Sequence, residues 1–107
     1  MNEVYICKTN ALNESECVTV QHENREYFAV KKDGQVEAYL NRCPHIGAPM
    51  QFSENQFLTI DKSLIQCAMH GALFQISDGH CVSGPCVGQN LEKIDVKESN
   101  GELFLLI

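Results

Sequence analysis

Four residues in two short segments have the types and spacing of metal ligands. They are Cys43 and His45 in Cys43-Pro44-His45-Ile46-Gly47-Ala48-Pro49, and Cys67 and His70 in Cys67-Ala68-Met69-His70-Gly71. Each segment pairs a thiolate-forming sulfur with an imidazole, first as C-x-H and then as C-x-x-H, with residues 46–66 between them. Two sulfurs and two nitrogens suit either tetrahedral zinc or a two-iron cluster. Zinc modules usually close one half-site with two cysteines and the other with two histidines, or use four sulfurs. Here each segment carries one of each, which suits a [2Fe–2S] cluster with one iron on Cys43 and Cys67 and the other on His45 and His70. Pro44 stiffens the first loop by fixing a dihedral and removing a donor. Gly47 and Gly71 are expected to let backbone amides approach the cluster sulfurs.

The other four cysteines carry no such offset histidine. Six in a short chain could form three disulfides, but that framework needs a secretory context. The start, Met1-Asn2-Glu3-Val4-Tyr5, has neither a basic n-region nor a long apolar run, so no signal peptide is expected, and no stretch reaches roughly 18 apolar residues. A soluble, cytoplasmic protein is the expectation. Cys7 and Cys17, in strand-like runs, read as small core residues, and Cys81 and Cys86, flanking Gly84-Pro85, as inert packing, with an auxiliary role as the alternative. His80 follows a turn and reads as a solvated side chain; His22, among Glu23, Asn24 and Arg25, suggests no chemistry. Arg42, just before Cys43, reads as a surface charge, with partner docking as the alternative.

Strands must position these loops. Cys17-Val18-Thr19-Val20 and Tyr27-Phe28-Ala29-Val30 are β-rich, and Asp33-Gly34 supplies a hairpin turn before Val36–Leu40. Asn100-Gly101 predicts a second hairpin, whose return strand, Leu103–Ile107, is apolar enough to dock in the core. The best helical segment, Asn10 to Glu16, is worth at most one turn. Residues 41–88 hold all three prolines, five of the seven glycines and four of the cysteines, so loops gather where the chemistry does. No internal repeat or linker is evident. A chain of 107 residues, 44% hydrophobic and 21% charged, fits one globular domain. Eight basic and 14 acidic side chains, net −6, argue against nucleic acid as a partner and leave basic protein surfaces open.

Taken together, the two motifs resemble those of the Rieske iron–sulfur family: C-x-H, an intervening stretch, then C-x-x-H-G. The resemblance extends over Gly71-Ala72-Leu73-Phe74, the Asp78-Gly79 turn, and Ser83-Gly84-Pro85, which looks like the family's proline loop covering the cluster from a third side. It implies an all-β fold: a Rieske-type antiparallel β-sandwich, residues 1–107 as one domain, with a small cluster-binding subdomain inserted at about 41–88. It implies one [2Fe–2S] cluster held by Cys43, His45, Cys67 and His70. The spacer departs from the family by a few extra residues, and Gln51-Phe52-Ser53-Glu54-Asn55-Gln56 reads as a polar surface insertion.

The oxidised core carries two positive charges, which two thiolates cancel, and neutral imidazoles add none. Reduction takes such a site from neutral to singly negative, which is easier than reducing an already anionic four-thiolate site and places the potential at roughly −150 to +300 mV. High-potential family members resemble this chain but tie the ligand loops with a disulfide and donate a serine and a tyrosine hydroxyl to sulfur. Here the matching positions are Ala48 and Met69 for the bridge, and Ala72 and Phe74 for the hydroxyls, so a low potential is expected. No activated nucleophile or nucleotide-binding fingerprint suggests bond-making. The resemblance therefore implies a monomeric, non-enzymatic electron carrier, a Rieske-type ferredoxin passing electrons from a flavoprotein reductase to a terminal oxygenase of a ring-hydroxylating system. It would dock through His45, His70 and an apolar rim of Ile46, Pro49, Met50 and Pro85, with no nucleic acid and no membrane involved. The alternatives are a subunit resembling the small subunit of cytoplasmic nitrite reductase, and a zinc-stabilised binding module.

Overall fold

Tyr27-Phe28-Ala29-Val30 is apolar at four consecutive positions, whereas a strand with one wet face would alternate. The computed structural model describes residues 2–44, 56–68 and 71–107, and there it explains that run. The described strands are β1 Glu3–Lys8, β2 Cys17–His22, β3 Arg25–Lys32, β4 Gln35–Leu40, β5 Leu64–Gln66, β6 Leu73–Gln75, β7 Cys81–Ser83, β8 Lys93–Ser99 and β9 Glu102–Leu106. Six form one sheet in the order β1-β9-β8-β4-β3-β2, and three form a second in the order β5-β6-β7, all neighbours antiparallel. The large sheet rolls so that its edge strands β1 and β2 come into contact.

β3 and β4 are the middle layer. Tyr27, Ala29 and Ala38 point into a core with Ile6, Leu12, Val20, Leu103 and Leu105, inside the rolled sheet. Phe28, Val30 and Tyr39 point the other way, into a second core shared with Phe57, Ile65, Phe74, Ile76 and Leu91. Both faces of β3 are thus dry, which is why its sequence does not alternate. Leu103 and Leu105 of β9 are buried, as the apolar C-terminal run predicts.

Both expected hairpins form. Asp33 and Gly34, at φ 54° and 78°, connect Lys32 to its partner Gln35, and Asn100 and Gly101, at 54° and 77°, connect Ser99 to Glu102. Two left-handed residues in succession make the turn whose twist matches that of the strands. The Glu14 carboxylate accepts hydrogen bonds from Asp33 N and Gly34 N at 2.6 and 3.1 Å, and those bonds hold its pKa below the usual carboxylate range. A third such turn, Glu23-Asn24 at φ 49° and 67°, joins His22 to Arg25 without any glycine to announce it. The expected helical turn at Asn10–Glu16 is instead a 3-10 turn at Thr9–Ala11 followed by an irregular bend. There Asn13 N donates to Glu16 Oε1 and Glu16 N to Asn13 O, local bonds that compete with a helix. Among the described residues, no helix is long and apolar enough to cross a membrane.

Candidate metal centre

The first ligand segment leaves the sheet at the end of β4. Leu40 N donates to Glu92 O, Asn41 N to Glu26 O, and the buried Asn41 amide to Glu26 Oε1 at 2.6 Å, so the chain is anchored up to the residue before Arg42. Arg42 is exposed, and Cys43 turns fully inward. The second segment is the connection between β5 and β6, whose paired ends are Gln66 and Leu73. Cys67 N donates to Ala72 O at 2.8 Å and Gly71 N to Cys67 O at 3.0 Å, which folds the loop onto itself. Gly71 sits at φ +71°, and among the described residues nothing lies within 4 Å of where a Cβ would lie. Its backbone is left-handed, and its amide donates to Cys67 O. His45, Gly47 and His70 lie outside the described residues, as do Ile46, Ala48, Pro49, Met50, Met69 and the insertion up to Asn55. Gln56, its last residue, is exposed.

Two candidate ligand cysteines from segments far apart in sequence share one core. Cys43 and Cys67 are both 0% exposed and belong to the same buried cluster. The third loop lies against the second: a Cβ on Gly84, at φ +101°, would come within 2.7 Å of Ala72 Cα. Ser83-Gly84-Pro85 thus packs directly beside the end of the second ligand segment, and Ala72 and Phe74 are themselves fully buried. Among the described residues, no three of the His, Cys, Asp and Glu side chains come together as a metal site. By residue type, the two buried thiols with the imidazoles of His45 and His70 would be a donor set that fits a [2Fe–2S] cluster.

Cys81 and Cys86 occupy the same core, with their sulfurs 3.2 Å apart. Cys86 is pushed up to about 12, first by burial, then by its hydrogen bond with Cys81 and by the charges of Cys81, Cys43 and Cys67. Cys17 is also pushed up to about 12 by burial and packs at the edge of this core, while Cys7, raised by burial, packs at the edge of the other. Both are half-buried rather than central. His80 is not a freely solvated side chain: its Nδ1 lies 2.7 Å from Asn90 Oδ1, its backbone N donates to Asp78 Oδ1, and it bridges to Asn90.

Two supports escaped the sequence reading. Phe57, in the spacer, stacks on Phe28 with ring centroids 4.1 Å apart and pins the returning leg of that segment to β3. Gln66 N donates to Phe57 O and Thr59 N to Leu64 O, so the leg enters β5 as a hairpin. Tyr39, from β4, donates its hydroxyl to Ile76 O and ties the large sheet to the turn after β6. Burial, then the Glu37 and Asp78 carboxylates, raise its pKa. Beside Pro85, Val82 and Val87 are 42% and 61% exposed, which adds apolar surface to the rim expected there.

The architecture is shared with proteins of known structure. The ferredoxin of carbazole 1,9a-dioxygenase from Nocardioides aromaticivorans IC177 superposes with a TM-score of 0.78 at 20% identity, covering 98% of this chain and 97% of that one. The terminal oxygenase of carbazole 1,9a-dioxygenase from Novosphingobium sp. KA1 superposes with a TM-score of 0.83 at 24% identity, covering 99% of this chain and 30% of that one. In sequence, the chain is 26% identical over 103 residues to human (Homo sapiens) apoptosis-inducing factor 3, which is 96% of this chain but 16% of that protein. The chain thus spans only about a sixth of that curated relative. The Rieske [2Fe-2S] domain model matches residues 2–99, so this antiparallel chain belongs to the Rieske [2Fe–2S] domain family, whose cofactor is one [2Fe–2S] cluster.

Proposed function

We propose that this chain is a one-electron carrier whose cluster is held by Cys43 and Cys67 on one iron and His45 and His70 on the other. The observation that carries the reading is the meeting of Cys43 and Cys67, fully buried in one core, beneath a third loop that rests on Ala72. In the described core Cys86 is hydrogen-bonded with Cys81, and Tyr39 is committed to Ile76 O. An exposed apolar edge of Val82, Pro85 and Val87 beside the site suits brief docking. The chain takes electrons from a flavoprotein reductase and delivers them to a terminal oxygenase, as a monomeric, single-domain, cytoplasmic protein with the cluster carried by residues 41–88. The fold shared with the carbazole dioxygenase ferredoxin over nearly all of that chain supports the free carrier. A second reading, the same electron-transfer role inside a larger enzyme, is favoured by the larger proteins of which this fold is a part. Two thiolates take the net charge from −6 to −8 and the oxidised core restores −6, so reduction leaves −7 and favours a basic partner face.

The test is electron paramagnetic resonance of the reduced holoprotein with potentiometry from about pH 6 to about pH 11. The expected result is a rhombic Rieske signal and a midpoint on the order of −150 to −100 mV, because Ala72 and Phe74 donate nothing to sulfur. Each histidine keeps one nitrogen off the iron, and oxidised iron acidifies it more, so the midpoint should fall at alkaline pH by up to about 59 mV per pH unit per proton. Absence of the signal, or a midpoint independent of pH, would refute ligation by histidine. A midpoint above zero would refute the low-potential assignment alone.

A further inference from the structure

Cys81 and Cys86 are not among the proposed ligands, yet their sulfurs lie 3.2 Å apart, about 1.2 Å longer than the roughly 2.05 Å of a disulfide bond. Both residues are buried, at 0% and 1% exposure. The backbone already holds them together. Cys81 N donates to Gln89 O at 2.8 Å, Gly88 N to Cys81 O at 3.3 Å, Gln89 N to Cys86 O at 2.9 Å and Val87 N to Gly84 O at 3.4 Å. The ends of the short exposed segment 82–85 are thus closed without any help from the sulfurs. The reduced state has its own partner, since Cys81 Sγ also lies 3.3 Å from Ser83 O, to which it donates.

We propose that Cys81 and Cys86 form a dithiol–disulfide couple, closed by exchange with a small-molecule disulfide such as oxidised glutathione. One thiolate attacks the oxidant and releases its first thiol. The second protein thiolate then attacks the mixed disulfide at the protein sulfur and releases the other. The protein loses two electrons and two protons, and the two released thiols carry both. Gly84 lies inside the ring so formed and rests on Ala72. The bridge therefore adds a covalent link across a loop that the backbone already closes, at the place where it meets the second ligand segment. Both sulfurs are buried, so exchange waits on opening of the loop and equilibration is slow.

The holoprotein is held in glutathione buffers from fully reduced to strongly oxidising until its composition is constant, then quenched in acid, unfolded, alkylated and peptide-mapped. Cys81 and Cys86 are expected to lose alkylation together, as one linked peptide lighter by two hydrogens, while Cys7 and Cys17 remain alkylated throughout. In Cys81→Ser and in Cys86→Ser, the intramolecular link disappears. Alkylation of both residues in the most oxidising buffer overturns the proposal, as does a stable glutathione adduct on one of them, or a link to Cys43 or Cys67 in its place. None of these readouts uses electron transfer by the cluster, so the couple and the carrier role stand or fall separately.

Discussion

Replacing Gly84 by alanine tests whether the third loop is truly seated on the second ligand segment. At φ +101° the residue lies beyond the left-handed helical region, and its new Cβ would stand 2.7 Å from Ala72 Cα, 3.2 Å from Ala72 Cβ and 3.3 Å from Ala72 N. Gly71 is the control, at φ +71° with nothing among the described residues within 4 Å of its Cβ position. Left-handed backbone costs a non-glycine residue roughly 1–2 kcal/mol, offset by about 0.5 kcal/mol because alanine lowers the entropy of the unfolded chain. Gly71→Ala should therefore cost about 1 kcal/mol. Gly84→Ala adds overpacking against backbone that cannot rotate away, about 2 kcal/mol more, for a total near 3 kcal/mol. With a urea slope of about 1.5 kcal/mol/M, the unfolding midpoints fall by about 0.7 M and about 2 M respectively. Far-ultraviolet circular dichroism of the anaerobic holoprotein reads both, and the visible absorbance reports whether the cluster leaves before the fold does. Adding Ala72→Gly to Gly84→Ala removes the 3.2 Å contact but neither backbone contact, so it should recover only a minor part of the loss. If Gly84→Ala costs no more than Gly71→Ala, or if Ala72→Gly restores it fully, the loops are not in contact as described.

Two further perturbations reach other parts of the molecule. Ala72→Ser and Phe74→Tyr each place a hydroxyl at a fully buried position matching the donors of high-potential relatives. A hydrogen bond is about 1 kcal/mol stronger to a charged acceptor than to a neutral one, so each should raise the midpoint on the order of 40 mV. Potentiometry showing no rise in either would remove the explanation from missing donors. Asp61 is held down to about 2 by hydrogen bonds from Thr59 and Ser63, below its ordinary 3.8. Between those values the unfolded chain binds more protons, so the bonds stabilise the fold fully above about pH 4, and that stabilisation is lost as pH falls toward about 2. Asp61→Asn should therefore lower Tm at neutral pH by more than it does near pH 2. A gap independent of pH would show that the carboxylate is not bound in this way.

Local signals made some elements readable. Asp33-Gly34 and Asn100-Gly101 name their turns because asparagine, aspartate and glycine tolerate left-handed backbone, whereas Glu23-Asn24 makes the same turn with a residue that gives no warning. The run Tyr27–Val30 announces a strand but not that its two faces serve different cores, since that depends on what the second sheet brings against Phe28 and Val30. His80 looks solvated in sequence because its partner, Asn90, reaches it only through an isolated bridge across the third loop. Cys81 and Cys86 look inert for the same reason: their closeness is a property of a loop that closes through Gln89 and Gly88.

The spacing of Cys43, His45, Cys67 and His70 is a property of the chain itself, and ligand chemistry depends on residue type and short offsets, so the sequence alone determined which group this protein is built to hold. Tertiary structure decided that Cys43 and Cys67 share one buried core. Strand register fixes the segment after β4 and the β5–β6 connection in one buried core, Phe57 and Tyr39 brace them, and Gly84 is brought onto Ala72. The physical reason is that these contacts join residues far apart along the chain. Hydrophobic burial and backbone pairing select them only once both sheets exist.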